Sequence, residues 1–222
     1  MTLTNATTVI DVSVPARSAT GFPLALPGRL SLPDPARGLV LFAHGSGSSR
    51  SSPRNRYVAA VLHEAWIGTL LFDLLTEQEA ADRMNVFDIG LLADRLEAAV
   101  TLVQSLDTTA ALPLGLFGAS TGAAAALVAA ARVPRVAAVV SRGGRPDMAG
   151  AALGRVHCPT LLIVGGHDEE VLALNRLALD ALGGEKRLAI VPGATHLFEE
   201  PGTLEEAARL AAEWFASHFP SA

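Results

Sequence analysis

Short unbroken apolar runs alternate with longer amphipathic ones along this chain. The run at 38–43 is unbroken, the mark of a strand buried on both faces, and 67–72 reads as the next buried strand; 114–117, 136–141, 160–165 and 187–191 read as further strands. Between them lie helical patterns. One runs from Pro53 to about Ala65, with proline in its first turn. Another covers 88–104, with apolar residues at 89, 92, 96, 100 and 103 on one face. A third is the alanine-rich stretch 123–132. A fourth, 170–182, stops at Gly183-Gly184. The last starts at Thr203, where Glu206 is placed to complete a capping box, and runs to about His218.

Two further stretches precede these. Residues 7–14 alternate apolar and polar, as a half-buried strand does. Residues 22–32 read as a second strand, confined by their prolines and glycine to an edge or a turn. Together they predict an antiparallel N-terminal pair. Residues 76–86 are polar and predict a loop with a short helical turn; 142–159 predict a loop with one short helical piece. Strand and helix alternate throughout, which predicts an α/β fold, a mainly parallel sheet with helices on both faces. With no repeat, low-complexity tract or linker, one domain over 1–222 is expected, with an open site roofed at most by 76–86.

Composition narrows the class. A chain of 222 residues can bury a sizeable core, and with half its residues apolar but few aromatic that core is aliphatic and alanine-rich. A net charge of -5 argues against a nucleic-acid surface. The single cysteine, Cys158, excludes an internal disulfide, is compatible with a reducing compartment, and reads as a small buried residue. Residues 1–14 lack a charged start followed by an apolar core, so no signal peptide is expected, and the glycosylation triplet at 5–7 reads as chance. No run of about 18 apolar residues predicts a membrane span. The cytoplasm is the expected location.

The chemistry-bearing residues fall at predicted strand ends, where open α/β sheets hold their sites. Gly118-Ala119-Ser120-Thr121-Gly122 is a G-x-S-x-G pentapeptide between a strand and a helix, the arrangement of a nucleophile elbow. Its tight turn strains the serine backbone and lifts the hydroxyl above the sheet edge. The flanking glycines avoid collision with the helix as it folds back. Asp168 follows the penultimate strand and His196 the last one, giving the chain order Ser, Asp, His. A serine hydroxyl needs an imidazole to take its proton, and the imidazole needs a carboxylate to fix its tautomer. Ser120 is the candidate nucleophile, His196 the general base and Asp168 the orienting acid. Each has an ordinary reading too: Ser120 and Asp168 are both suited to cap the helices that follow them. Asp147, Glu169 and Glu170 remain alternative acids and His167 an alternative base.

For the oxyanion hole, the expected donors are the backbone N–H groups of Thr121 and Ser46, with Gly45 and Gly47 letting the loop turn its amides inward. His44 reads as structural. A phosphate-cradling loop at 44–50 is disfavoured, since no G-x-x-x-x-G-K-[ST] pattern is present. Arg50, Arg54 and Arg142 are candidate contacts for an anionic part of a substrate; their alternative is solvation or ion pairing with Asp73, Glu77 and Glu79. The histidines lack zinc spacing, so neither metal nor cofactor is expected.

The segments 44–56, 117–122, 141–147, 165–168 and 192–201 together resemble the α/β-hydrolase superfamily, and within it the small, lidless dienelactone-hydrolase-like group. The resemblance covers nearly the whole chain. It implies an eight-stranded type of sheet without a large cap, and Ser120, Asp168 and His196 as the triad. One residue departs: dienelactone hydrolases use a cysteine nucleophile where this elbow holds serine. Their lactone substrate does not carry over, and a carboxylesterase acting on small soluble esters is the natural inference. A thioesterase, acyltransferase or peptidase with the same triad stays open, as does a non-catalytic binding protein on this fold. The expected partner is a small-molecule ester, with no nucleic acid or membrane and at most a second copy of the chain as a homodimer.

Overall fold

A computed structural model describes residues 6–18 and 20–219. Residues 1–5, and with them Asn5 of the 5–7 triplet, lie outside the described residues. Eight strands form one sheet: β1 (Thr7–Arg17), β2 (Pro23–Pro33), β3 (Gly38–Ala43), β4 (Ile67–Phe72), β5 (Leu114–Ala119), β6 (Val136–Arg142), β7 (Thr160–Gly165) and β8 (Lys186–Val191). Their spatial order is β1-β2-β4-β3-β5-β6-β7-β8. β1 and β2 pair antiparallel, as do β2 and β4; every later pairing is parallel. From β3 the chain steps one way to β4 and then back past β3 to β5. The carboxyl ends of β3 and β5 therefore flank a switch point, the place where such sheets leave a crevice.

Burial explains the unbroken apolar strands. On β3, Leu39, Leu41 and Ala43 face one core and Val40 and Phe42 the other, following the two-residue alternation of a pleated strand. The first core is closed by α4 (Ile89–Ser105) and α5 (Thr121–Arg132), through residues such as Leu92, Leu96 and Leu127. The second is closed by α1 (Pro53–Glu64) and α7 (Thr203–His218), through Val58, Leu62, Ala211 and Phe215. Residues 123–126, all alanine, are fully buried, so α5 lies close against the sheet. The remaining elements are the short α2 (Glu77–Ala80) and α3 (Arg83–Phe87), a 3-10 segment Pro146–Arg155, and α6 (Glu169–Ala181).

Two expectations need correction. β2 is not an edge: it pairs with β1 along its length and with β4 over 28–31. Pro23 and Pro27 escape conflict because they lie in the part that only β1 flanks, where a missing N–H costs no ladder bond. And α7 starts at Thr203 without a capping box. Its N-cap is Gly202, in the left-handed region at φ 81°. The Thr203 hydroxyl donates to the Glu200 carbonyl at 2.7 Å, while Glu206 is drawn to Arg209. Among the described residues no helix is long and apolar enough to cross a membrane.

Candidate active site

The elbow is built by exclusion. A Cβ at Gly118 would come within 2.3 Å of the Ala123 Cα, so the turn closes only without one. A Cβ at Gly122 would lie 2.1 Å from the Ala43 carbonyl oxygen. That second glycine clears the end of the neighbouring strand β3. Between them Ser120 sits at φ 52°, ψ -123°, a conformation costly for a residue with a side chain. Backbone bonds hold it there: Ser120 N–H donates to the Arg142 carbonyl at 3.3 Å, and the Ser120 carbonyl accepts from Ala123 and Arg145, each at 3.1 Å.

Ser120 occupies the N-cap position of α5 yet makes no side-chain capping bond. Asp168 occupies the N-cap of α6 and makes none either. Its Oδ2 lies 2.7 Å from His196 Nδ1, so that nitrogen carries the proton it donates to the carboxylate. Nε2 is left to act at the serine. Ser120 and His196 line one small cavity, about 220 Å³, together with Ser46, Arg54, Asn55 and Arg142. No residue of α2 or α3 lines it. Those helices instead help wall a second cavity of about 860 Å³, which the 44–51 loop also lines, through Glu77, Ala80 and Val86.

The loop carrying His196 is fixed at both ends. Phe198, with φ 55°, is buried in the α1/α7 core. Glu200 accepts from the Thr195 N–H at 3.0 Å and the Thr195 hydroxyl at 2.7 Å, and the hydroxyl bond first of all holds its carboxyl below the usual range. From the other side, buried Asn175 of α6 donates to the Gly144 carbonyl at 3.0 Å, steadying the turn after β6. Sequence reading named neither Glu200 nor Asn175 as a support. The only signal was a polar residue on an otherwise apolar helical face for Asn175, and a carboxylate shortly after the histidine for Glu200.

The 44–52 loop departs from expectation at one donor. Ser46 N–H donates to Thr121 Oγ1 at 3.1 Å. It is thus engaged by a side chain of the adjacent helix start and is not a free amide. Thr121 N–H lies in the first turn of α5, where helices leave amides without an internal acceptor. Gly45 approaches the elbow so closely that a Cβ there would stand 2.9 Å from Ser120 Cβ. His44 anchors the loop: Nε2 accepts from Leu74 N–H at 3.0 Å and Nδ1 donates to the Gly45 carbonyl at 3.1 Å. Burial pushes its pKa down, keeping it neutral.

The arginines separate. Arg50 does not line the Ser120 cavity; its guanidinium pairs with Asp73, whose other oxygen accepts Arg50 N–H at 2.7 Å, and both residues line the larger cavity. Arg54 and Arg142 line the Ser120 cavity. Arg145 forms a bidentate pair with Asp147 at 2.9 and 2.8 Å, which occupies that alternative acid. Cys158 is partly buried, and burial raises its thiol to about 11. No cluster of metal-ligating side chains occurs among the described residues.

Comparison with known proteins agrees with this geometry. The model of the dienelactone hydrolase family matches residues 70–220. A dienelactone hydrolase from Anabaena variabilis ATCC 29413 superposes with a TM-score of 0.90 at 53% identity, over 96% of this chain and 99% of that one. Est1E from Butyrivibrio proteoclasticus shares the fold, with a TM-score of 0.76 at 15% identity over 93% and 98% of the two chains. A Mycobacterium tuberculosis (strain ATCC 25618 / H37Rv) protein, provisionally named as a phosphoribosyl transferase, is 61% identical over 198 residues. Those residues are 88% of this chain but 44% of that protein, so the chain spans less than half the length of the curated relative. The eight-stranded α/β sheet without a large cap, the elbow at its switch point and the family match lead to one conclusion: the chain belongs to the dienelactone hydrolase family of α/β-hydrolases.

Proposed function

We propose that this hydrolase cleaves small carboxylic esters through an acyl-enzyme on Ser120. The observation that carries the reading is the Asp168–His196 hydrogen bond of 2.7 Å, formed by a carboxylate that leaves its own helix uncapped to make it. His196 Nε2 takes the proton of Ser120 as Oγ attacks the acyl carbon. Asp168 fixes the tautomer and stabilises the imidazolium. The tetrahedral oxyanion takes the Thr121 N–H as one donor. The second is Ser46 N–H, which exchanges the Thr121 hydroxyl for the oxyanion as charge develops. Each donor contributes roughly 3 kcal/mol to the transition state. His196 then returns the proton to the departing alcohol. Water attacks the acyl-enzyme by the same path.

A cavity of about 220 Å³ fits a short acyl or alcohol group better than a long lipid chain. The transferase name is borne by a relative more than twice as long; the present reading concerns the portion this chain matches. Ser120→Ala should abolish turnover of p-nitrophenyl acetate. Turnover by that variant near the wild-type rate overturns the proposal.

A further inference from the structure

On the α1 side of the sheet, β3 and β4 supply apolar residues such as Val40, Phe42 and Ile67 to the core. Toward β2 that side turns polar. In register, Arg29 stands opposite Leu71 and Ser31 opposite Thr69. Ser31 and Thr69 are nevertheless buried, at 7% and 0% exposure. Facing them, α1 presents Arg56, Ala59, Ala60 and His63, whose spacing of three, four and seven puts them on one stripe. The two alanines are too short to fill the space, and a cavity of about 290 Å³ remains between helix and sheet. Arg50 and Ser51, from the loop after β3, also line it.

Three guanidinium groups and one imidazole thus line this hollow, and none of its lining residues is a carboxylate. The counter-charges lie outside it and are incomplete. Arg50 pairs with Asp73. Arg29 meets Asp11 at 3.4 Å, but the two side chains are 60% and 82% exposed, so water screens the pair. The Arg56 side chain forms no ion pair or hydrogen bond among the described residues. The Ser31 hydroxyl likewise has no hydrogen-bond partner among them, although the residue is buried. A hydroxyl withdrawn from water without a partner is costly, and one that borders a cavity is open to a ligand. His63 Nε2 lies 2.8 Å from Thr69 Oγ1. Burial lowers its pKa, so it is neutral at rest and would gain a proton beside an anion.

The donors come from three directions: β2, α1 and the loop after β3. A planar carboxylate is satisfied by one arginine fork, whereas a tetrahedral dianion takes donors from several sides. We propose that Arg29, Arg50, Arg56, His63 and Ser31 form a phosphate-binding site between α1 and the β2–β4 pair, for a phosphate group either free or borne by a small molecule. It shares no lining residue with the Ser120 cavity, which Ser52, Arg54 and Asn55 line from the start of the same helix. Its occupation therefore does not depend on the chemistry proposed for Ser120.

The test is a binding titration of the full chain at constant ionic strength, set with chloride. Inorganic phosphate, glycerol 3-phosphate and succinate are compared by calorimetry and by melting temperature. Phosphate, its ester or both should bind saturably and raise the melting temperature, with succinate at least about tenfold weaker, the scale of one charge-assisted hydrogen bond. The tighter of the two phosphates identifies the free or the esterified form. Arg56→Gln should weaken binding by at least tenfold, and Ser31→Ala by less. Arg54→Gln and Ser120→Ala, in the other cavity, should leave it unchanged. By NMR, the His63 titration should move to higher pH on adding phosphate to the wild type and stay in place in Arg56→Gln.

Absence of saturable phosphate binding overturns the site, as does binding untouched by Arg56→Gln. Succinate binding as tightly as phosphate overturns the assignment of the ligand. Binding lost in Arg54→Gln but kept in Arg56→Gln would place the anion in the Ser120 cavity and defeat the proposal. Arg56 is exposed and unpaired, so its substitution should leave folding intact; Arg29→Gln, at the same cavity, repeats the comparison independently.

Discussion

The serine, threonine and aspartate N-caps of this molecule's α-helices fall into two groups. Most cap. Asp88 accepts from Leu91 N–H at 2.9 Å, Asp82 from Met84 at 2.9 Å, Ser52 from Asn55 at 3.3 Å, and Thr76 forms a full capping box with Glu79. Ser120 and Asp168 hold N-cap positions of α5 and α6 with residue types that cap well, and neither does so. A cap of this kind is worth about 1 kcal/mol. Both helices forgo it, and in each case the side chain is turned toward His196 or the cavity it lines. The contrast separates a serine or aspartate that stabilises its helix from one held back for another use, which sequence alone leaves undecided.

Substitutions on the two sides of that contrast should differ in kind. The largest effect is expected at the proposed nucleophile. Ser120→Ala should lower kcat on a p-nitrophenyl ester by on the order of a millionfold, down to the background given by binding and the oxyanion donors. Because no cap is lost, its urea midpoint should match that of the wild type. A drop in stability without loss of turnover would reverse the assignment. Asp168→Asn comes next, with kcat reduced about ten-thousandfold through loss of the correct imidazole tautomer. Its helix has no aspartate cap to lose, so chemical denaturation should again be near wild type.

Asp88→Ala should behave the opposite way. The expected cost is about 1 kcal/mol in urea unfolding with kcat unchanged, since α4 loses a working cap far from Ser120. Equal stability losses at Asp88 and Asp168 would erase the distinction.

The smallest effect concerns pH. Burial lowers the pKa of His44 and of His63, so the unfolded chain takes up these protons before the folded one does. Their contribution to stability is complete above about pH 6.5 and is lost as pH falls below it. Urea midpoints measured from pH 7.5 to pH 5 should decline, and His63→Gln should flatten part of that decline. A midpoint that rises toward pH 5 would contradict the burial of neutral imidazoles.

Much of the fold was legible because it depends on local pattern. An unbroken apolar run such as 38–43 marks a strand covered on both faces, and β3 is that. The elbow was legible because glycine at 118 and 122 answers a steric demand that the structure locates at Ala123 and at Ala43. What was hidden depends on partners distant in sequence. The register of β2 against β4 decided that β2 is interior. The Thr121 hydroxyl, 75 positions away, decides where the Ser46 amide points. Arg50 and Arg142 look alike in a sequence; only the fold gives one an aspartate and denies the other any carboxylate. The missing capping box on α7 is a local matter instead: Gly202 takes the N-cap, one residue before the expected threonine, and Glu206 pairs with Arg209.

The central claim is that Ser120 is the nucleophile activated by His196 and Asp168. Intact-mass and peptide mass spectrometry after treatment with a fluorophosphonate tests it most directly. The expected result is a single adduct on the peptide carrying Ser120, formed in the folded wild type and lost or strongly slowed in Asp168→Asn. An ester-hydrolysing protein that carries no adduct on Ser120, or carries it on another residue, would contradict it.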